Sequence, residues 1–464
     1  MNLFIKNASY VWPGGTAEVI ENASVLVKGT VIAAIGDAAT LASHMEADTR
    51  TISGEGLIIM PGLVNTHHHF YQTLTRNFPC VQDAELFEWL INLYPLWAQL
   101  TPDDFALSTT IASLELLSSG CTTAVDHSYL VPDGQSNLYN RQVEAARRAG
   151  LRFHLCRGSM SRSKKDGGLP PDTVVQSEDV IMKETEALVK EVHEGGRGGM
   201  TRIVVAPCSP FSVTPELMIE AKKYADHAGL TVHTHLAETR DEEDYTKKIY
   251  GCRPFELMEK WGWMDKNSFF AHSIHFSPEE VVRMGKAKGG VAHCPTSNMR
   301  LGSGIAPIVE MLKAGVPVGI AVDGSASNDC SNLMLEARQA LFLQRVAKGA
   351  KCMSARDALR IATLGGAEVI GRDDIGLLKP GYEADLVGFP LNRLRMAGGS
   401  TDPLAALIFC AADRVDLSVV HGELLIHHGR FTRYSEDELA ELIRKQNERS
   451  IALYKKALNN TVRK

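Results

Sequence analysis

Eight short apolar runs, separated by amphipathic stretches, constrain the fold of this chain more than any other feature. They cover residues 57–64, 122–125, 152–155, 203–206, 231–235, 268–272, 290–293 and 316–322. Helical periodicity marks segments between them, at 102–118, 142–148, 178–192, 215–227 and 278–284. Short apolar runs read as strands covered on both faces, and strands alternating with helices build parallel sheets. Eight such units predict an α/β fold of the (β/α)8 TIM-barrel type. The chain has 464 residues, more than one barrel needs. Residues 1–56 read as short strands, with turns at Pro13-Gly14-Gly15 and Lys28-Gly29, and residues 376–430 return to that character. The expected organisation is the N-terminal part of a β domain over 1–56, the barrel over 57–370, the C-terminal part of the β domain over 371–432, and a terminal helix over 433–464. The two β parts are expected to meet as one small β-sandwich. The Ser/Lys/Gly/Pro-rich stretch 159–173 is expected to loop over the barrel mouth.

Barrel active sites sit at the C-terminal ends of the strands, so the run ends carry the chemistry. The first run ends in Thr66-His67-His68-His69. Strand alternation puts His67 and His69 on one face and His68 on the other, and two imidazoles on one face are half of a metal site. His235 ends the fifth run; a satisfied core histidine is the plainer alternative. Asp323 ends the eighth run, where an unpaired acid is expensive to bury; a helix N-cap is its alternative role. His67, His69, His235 and Asp323 are therefore the candidate metal ligands, for one divalent metal read as zinc. Glu238, three residues past His235, is placed to act as general acid/base on a metal-activated water without being a ligand. His272 ends the sixth run and is preferred to His275 as the residue that holds the oxygen being formed. Asp323 doubles as a catalytic proton acceptor. The fourth run, 202–207, has no lysine to bridge a second metal, so the site reads as mononuclear. H-E-x-x-H, P-C-x-x-C and G-x-x-x-x-G-K-[ST] are absent, which excludes zincins, cytidine-type deaminases and P-loop enzymes.

Other classes are excluded by bulk properties. Net charge is -6 with no basic tract, against a nucleic-acid partner. No window approaches ~18 uninterrupted apolar residues, so no membrane span is expected. The nine cysteines are scattered without a C-x-x-C, which fits free thiols and a cytoplasmic location.

The motifs Pro61-Gly62-Leu63-Val64-Asn65-Thr66-His67-x-His69, Thr234-His235-Leu236-Ala237-Glu238, Ala271-His272 and Val322-Asp323-Gly324, with Lys379-Pro380-Gly381-x-x-Ala384-Asp385-Leu386-Val387, resemble the amidohydrolase superfamily. The likeness runs from about residue 2 to residue 430 and falls in the branch of guanine deaminases, S-adenosylhomocysteine deaminases and triazine hydrolases. It implies one metal, usually zinc and sometimes iron, and hydrolysis of amino or chloro groups from aromatic nitrogen rings. Stretches at 126–129, 206–213 and 292–301 are most similar to the 8-oxoguanine deaminases. They imply conversion of 8-oxoguanine to urate and ammonia, with isocytosine as a second substrate and a hydroxyatrazine-type aminohydrolase or a guanine deaminase as the alternative. Gln72 matches a substrate-binding glutamine of guanine deaminases. The Pro-Arg-Phe of those enzymes is replaced here by Pro207-Cys208-Ser209-Pro210-Phe211, which lacks the arginine. Substrate-binding candidates are Gln72, His127 and Trp89. A structural hydrogen bond is the alternative for His127, and helix packing for Trp89. His293 and Asn298 are expected to hold loops, and His68 to have no role. The intact ligand set argues against a non-catalytic scaffold. The resemblance further implies a homodimer acting on a small nucleobase-like molecule.

Overall fold

Gly62 divides the first apolar run between two sheets. In the computed structural model, which describes residues 2–135 and 137–461, Leu57–Pro61 pairs antiparallel with Leu386–Pro390 and parallel with Leu3–Val11. Leu63–Asn65 instead begins the barrel, parallel to Cys121–Ser128. The expectation of one strand over 57–64 is thus corrected. Both sheets accept apolar side chains, so hydrophobicity alone does not mark the break. A Cβ on Gly62 would lie 2.1 Å from Thr122 Oγ1, so only glycine fits where the chain changes sheets.

The barrel has eight parallel strands in sequence order: Leu63–Asn65, Cys121–Ser128, Arg152–Ser159, Thr201–Pro207, Val232–Leu236, Ser268–His272, Gly290–His293 and Val318–Ile320. Thr66 links the first strand to the last, donating both its backbone N–H and its hydroxyl to the Ile320 carbonyl, each at 3.0 Å. Helices begin where capping chemistry permits. Thr101 and Asp104 form a reciprocal capping box before Pro102–Ser118, and Ser277 and Glu280 do the same before Pro278–Ala287.

The β domain expected from both termini is a continuous mixed sheet of nine strands. Its faces divide by the period of two. Leu57 and Ile59 join Leu3, Val25, Leu386 and Val419 in the sheet's own core, while Ile58 and Met60 face the main core with the barrel. Buried Arg152 ties the two units together. Its guanidinium donates to both oxygens of Asp385, at 2.7 and 3.0 Å, and to Glu383 at 3.2 Å. The terminal helix, Glu436–Thr461, lies against the segment that follows the histidines, with Gln446 donating to Thr73 and Arg449 to Asp104.

The stretch 159–173 is mostly loop, but none of its residues lines the cavity at the barrel mouth. Its first residues are fastened instead to the next loop, through Ser161 and Arg162 N–H to the Ser212 carbonyl. No helix among the described residues is long and apolar enough to cross a membrane.

Candidate active site

Left-handed backbone marks the strand ends that carry the candidate residues. Ala237, His272, Ser273 and Asp323 all have φ between 51° and 70°. Non-glycine residues in that region are strained, and such strain collects at functional sites.

Hydrogen bonds fix the tautomers of three imidazoles. His69 Nδ1 lies 2.7 Å from the His127 carbonyl, and His235 Nδ1 lies 2.6 Å from the Cys208 carbonyl. A carbonyl only accepts, so both Nδ1 atoms carry the proton and both Nε2 atoms are bare. His67 reaches the same state by one more step. His233 Nδ1 donates to the Phe269 carbonyl at 2.9 Å, which leaves its Nε2 as an acceptor, and His67 Nδ1 donates to that atom at 2.7 Å. Burial keeps all four rings neutral by pushing their pKa values down, that of His233 to about 3.

The bare atoms converge. His69 Nε2 and His235 Nε2 face each other at 3.2 Å with no proton between them. His67 Nε2 is buried without a partner. Asp323 Oδ1 lies 3.4 Å from His67 Nε2 and 3.3 Å from His69 Nε2. Burial opposes ionisation of Asp323, but its surroundings, charged His272 among them, hold it well below the ordinary carboxylate range. Neutral lone pairs at such separations repel; with an anion beside them they form a cation site. A divalent metal fits this donor set. Donor atoms of His67, His69, His127 and His235 all lie within 4.8 Å of one another, as do those of His67, His272 and Asp323.

His272 and Glu238 face each other across the cavity floor, His272 Nε2 being 3.4 Å from Glu238 Oε2 and 3.9 Å from Asp323 Oδ2. Burial opposes protonation of His272, yet the two carboxylates outweigh it and raise its pKa. Burial pushes Glu238 up to about 7. Asn298, expected only to hold a loop, has its Oδ1 2.9 Å from His272 Nδ1 and sets that ring's orientation.

A cavity at the barrel mouth opens onto these groups. His69, Gln72, Trp89 and Tyr94 line it from the chain after the first strand, and Tyr129 from the second. Cys208 and Phe211 come from the fourth, Glu238 and His272 from the fifth and sixth, and Asp323 from the eighth. Gln72 is fully buried, neither amide atom has a hydrogen-bond partner, and the Tyr71 hydroxyl is a near neighbour. A Cβ on Gly324 would lie 1.8 Å from Gln72 Oε1, so glycine there gives the amide its place. Trp89 forms part of the wall with its indole N–H spent on the Ala326 carbonyl.

His127 does not line the cavity. Its Nε2–H goes to the Ala206 carbonyl at 2.9 Å, and its ring stacks on His235 at 4.9 Å, so the structural alternative describes its placement. His68 faces away, bonded to Ser331, and His275 is also off the cavity wall. His233 was missed from the sequence, although alternation in His233-Thr234-His235 puts it on the face of His235.

Converging lone pairs call for a cation, and a cation beside a buried acid couple is suited to adding water across a bond. These features define a metal-dependent hydrolase on a barrel scaffold. The chain belongs to the amidohydrolase family, whose profile matches residues 58–425, and is a metal-dependent aminohydrolase. It is 51% identical over 365 residues to an 8-oxoguanine deaminase of Pseudomonas aeruginosa, covering 79% of this chain and 81% of that one. It is 35% identical to a hydroxydechloroatrazine ethylaminohydrolase of Pseudomonas sp. strain ADP, covering 91% and 90%. The crystal structure of an atrazine chlorohydrolase from Arthrobacter aurescens TC1 in complex with zinc superposes with a TM-score of 0.91 at 31% identity, covering 97% and 100%.

Proposed function

We propose that this protein hydrolyses the exocyclic amino group of 8-oxoguanine to give urate and ammonia, using one zinc ion held by His67, His69, His235 and Asp323. The unspent amide of Gln72, buried in the same cavity as Glu238 and His272, carries the reading. An amide offers one donor and one acceptor side by side, which matches the amide edge of an oxidised purine. The cavity is lined by Cys208 and Phe211 rather than by an arginine, in keeping with a substrate other than guanine. The 51% identity to an 8-oxoguanine deaminase supports the substrate.

The metal, when bound, supplies a water whose pKa falls from ~15.7 towards ~7. Asp323 takes that water's proton as the oxygen adds to the amino-bearing carbon. Glu238, balanced near neutrality, gives a proton to the neighbouring ring nitrogen. The Nε2–H of His272 donates to the oxygen that becomes the new carbonyl. The amine then leaves with the proton first taken by Asp323, the added hydroxyl returns its remaining proton to Glu238 as the carbonyl forms, and the ring-nitrogen proton stays with the urate produced. Buried aromatic walls, Trp89 and Tyr94 among them, exclude bulk water.

A triazine substrate is the second reading, favoured by the 35% identity to the hydroxydechloroatrazine enzyme across most of both chains. The test is release of ammonia or amine from 8-oxoguanine, guanine, isocytosine and hydroxyatrazine. The proposal expects 8-oxoguanine to have the highest kcat/KM, with isocytosine second. Turnover of hydroxyatrazine alone would establish the second reading.

A further inference from the structure

Glu242 is a buried carboxylate with an unusual use. It is fully buried and makes no ion pair among the described residues, the positive charge that acts on it being that of His272 at longer range. Its side-chain hydrogen bonds run to two consecutive backbone amides: Oε1 accepts from Ala237 N–H and Oε2 from Glu238 N–H, both at 2.9 Å. Burying a carboxylate without a counter-charge is costly, and a neutral cap would end the strand as well. Nor is this an ordinary helix cap. Thr239 is the N-cap of Arg240–Tyr250, and its hydroxyl accepts from Glu242 N–H. A glutamate at that third helical position usually reaches back to the N-cap amide. Here it reaches further, to the two residues before the cap.

The turn it grips needs holding. Ala237 has φ 52° without being glycine. Its carbonyl accepts from both Ile274 and His275 N–H at 3.0 Å, just past His272. The Ala237–Glu238 turn is therefore clamped from one side by Glu242 and tied on the other to the loop of His272.

We propose that Glu242 is a positioning residue, whose two-pronged grip on the Ala237 and Glu238 amides aims the Glu238 carboxylate at the substrate and holds it in register with His272. This rests on the reading of Glu238 as the general acid/base. A displacement of about 1 Å at a reacting group costs on the order of 10²-fold in rate. Glu242→Gln keeps the shape but turns an amide N–H towards one of the two backbone N–H groups.

The test compares wild type, Glu238→Gln, Glu242→Gln and the double variant, loaded with zinc, by kcat, KM, metal content and Tm. The expected result for Glu242→Gln is a fall in kcat of about 10²-fold with KM, zinc content and Tm close to wild type. In the double variant, Glu242→Gln should add nothing to the loss caused by Glu238→Gln, because the two act as one unit. A purely structural cap would lower Tm and leave kcat intact, and its effect would add to that of Glu238→Gln; either outcome overturns the proposal. If Glu238→Gln itself keeps wild-type kcat, the acid/base reading falls, and the positioning role falls with it. Should Glu242→Gln not fold, Glu242→Asp, which keeps the charge but shortens its reach, replaces it in the same comparison, with the same criteria.

Discussion

One proton relay decides whether the imidazole cluster binds metal. His67 offers a bare Nε2 only because His233 accepts from its Nδ1, and His233 accepts only because its own Nδ1–H is committed to the Phe269 carbonyl. Replacing His233 by Leu removes that acceptor and should weaken zinc binding about 10- to 100-fold, read by competition with a chelating dye. His233→Gln, which retains an acceptor oxygen, should lose less. The Gln72 amide depends on a neighbour in a different way. Gly324→Ala would push a methyl group into Gln72 Oε1 and should raise KM for 8-oxoguanine more than it lowers kcat. Sequence reading found the residues at strand ends because the period of two and the burial cost of ionisable groups act locally. It passed over His233 and Glu242, and it gave Asn298 a loop-holding role. His233 and Asn298 bond to residues on other strands, the Phe269 carbonyl and His272, while Glu242 bonds amides four and five residues back, beyond the N-cap amide that a glutamate there usually reaches.

The two sheets share an apolar core and are pinned to each other by buried polar contacts. Arg152, at the start of the third barrel strand, enters the second sheet's territory and spends its guanidinium on Asp385 and Glu383. Asp385→Ala leaves that cation buried with Glu383 as its remaining carboxylate partner. The expected cost is about 3–5 kcal/mol of unfolding free energy, measured by urea titration with the zinc site filled. The order of barrel elements was legible from alternating apolar and amphipathic segments, and the helices at 102–118 and 178–192 lie where periodicity placed them. The division of 57–64 was not, since each half is apolar for a different sheet. Composition marked the loop 159–173 without saying which neighbour it fastens to.

Across the whole molecule, burial of titratable groups sets the response to pH. Eight buried histidines, His67, His68, His69, His127, His154, His233, His235 and His293, have pKa values below the ordinary 6.5 because burial disfavours their charged form. The unfolded chain takes up those protons first, so the stability they contribute is lost as pH falls below about 6.5. Asp126, Glu238, Glu242 and Glu336, pushed up to about 7 by burial, oppose this. Their contribution is held at low pH and lost as pH rises towards 7. The histidines outnumber them, so metal-free protein should unfold at lower urea at about pH 5.5 than at about pH 7. An unchanged midpoint would contradict this balance. Added zinc should raise the midpoint at neutral pH, because it binds the folded arrangement of donors.

Diffraction from zinc-loaded crystals at the zinc absorption edge locates the metal relative to the four donors. One anomalous peak per chain is expected, bounded by Nε2 of His67, His69 and His235 and a carboxylate oxygen of Asp323, with Glu238 free to face the cavity. Two peaks, or a single peak bound by His127 or Glu238 in place of one of those four donors, would contradict it.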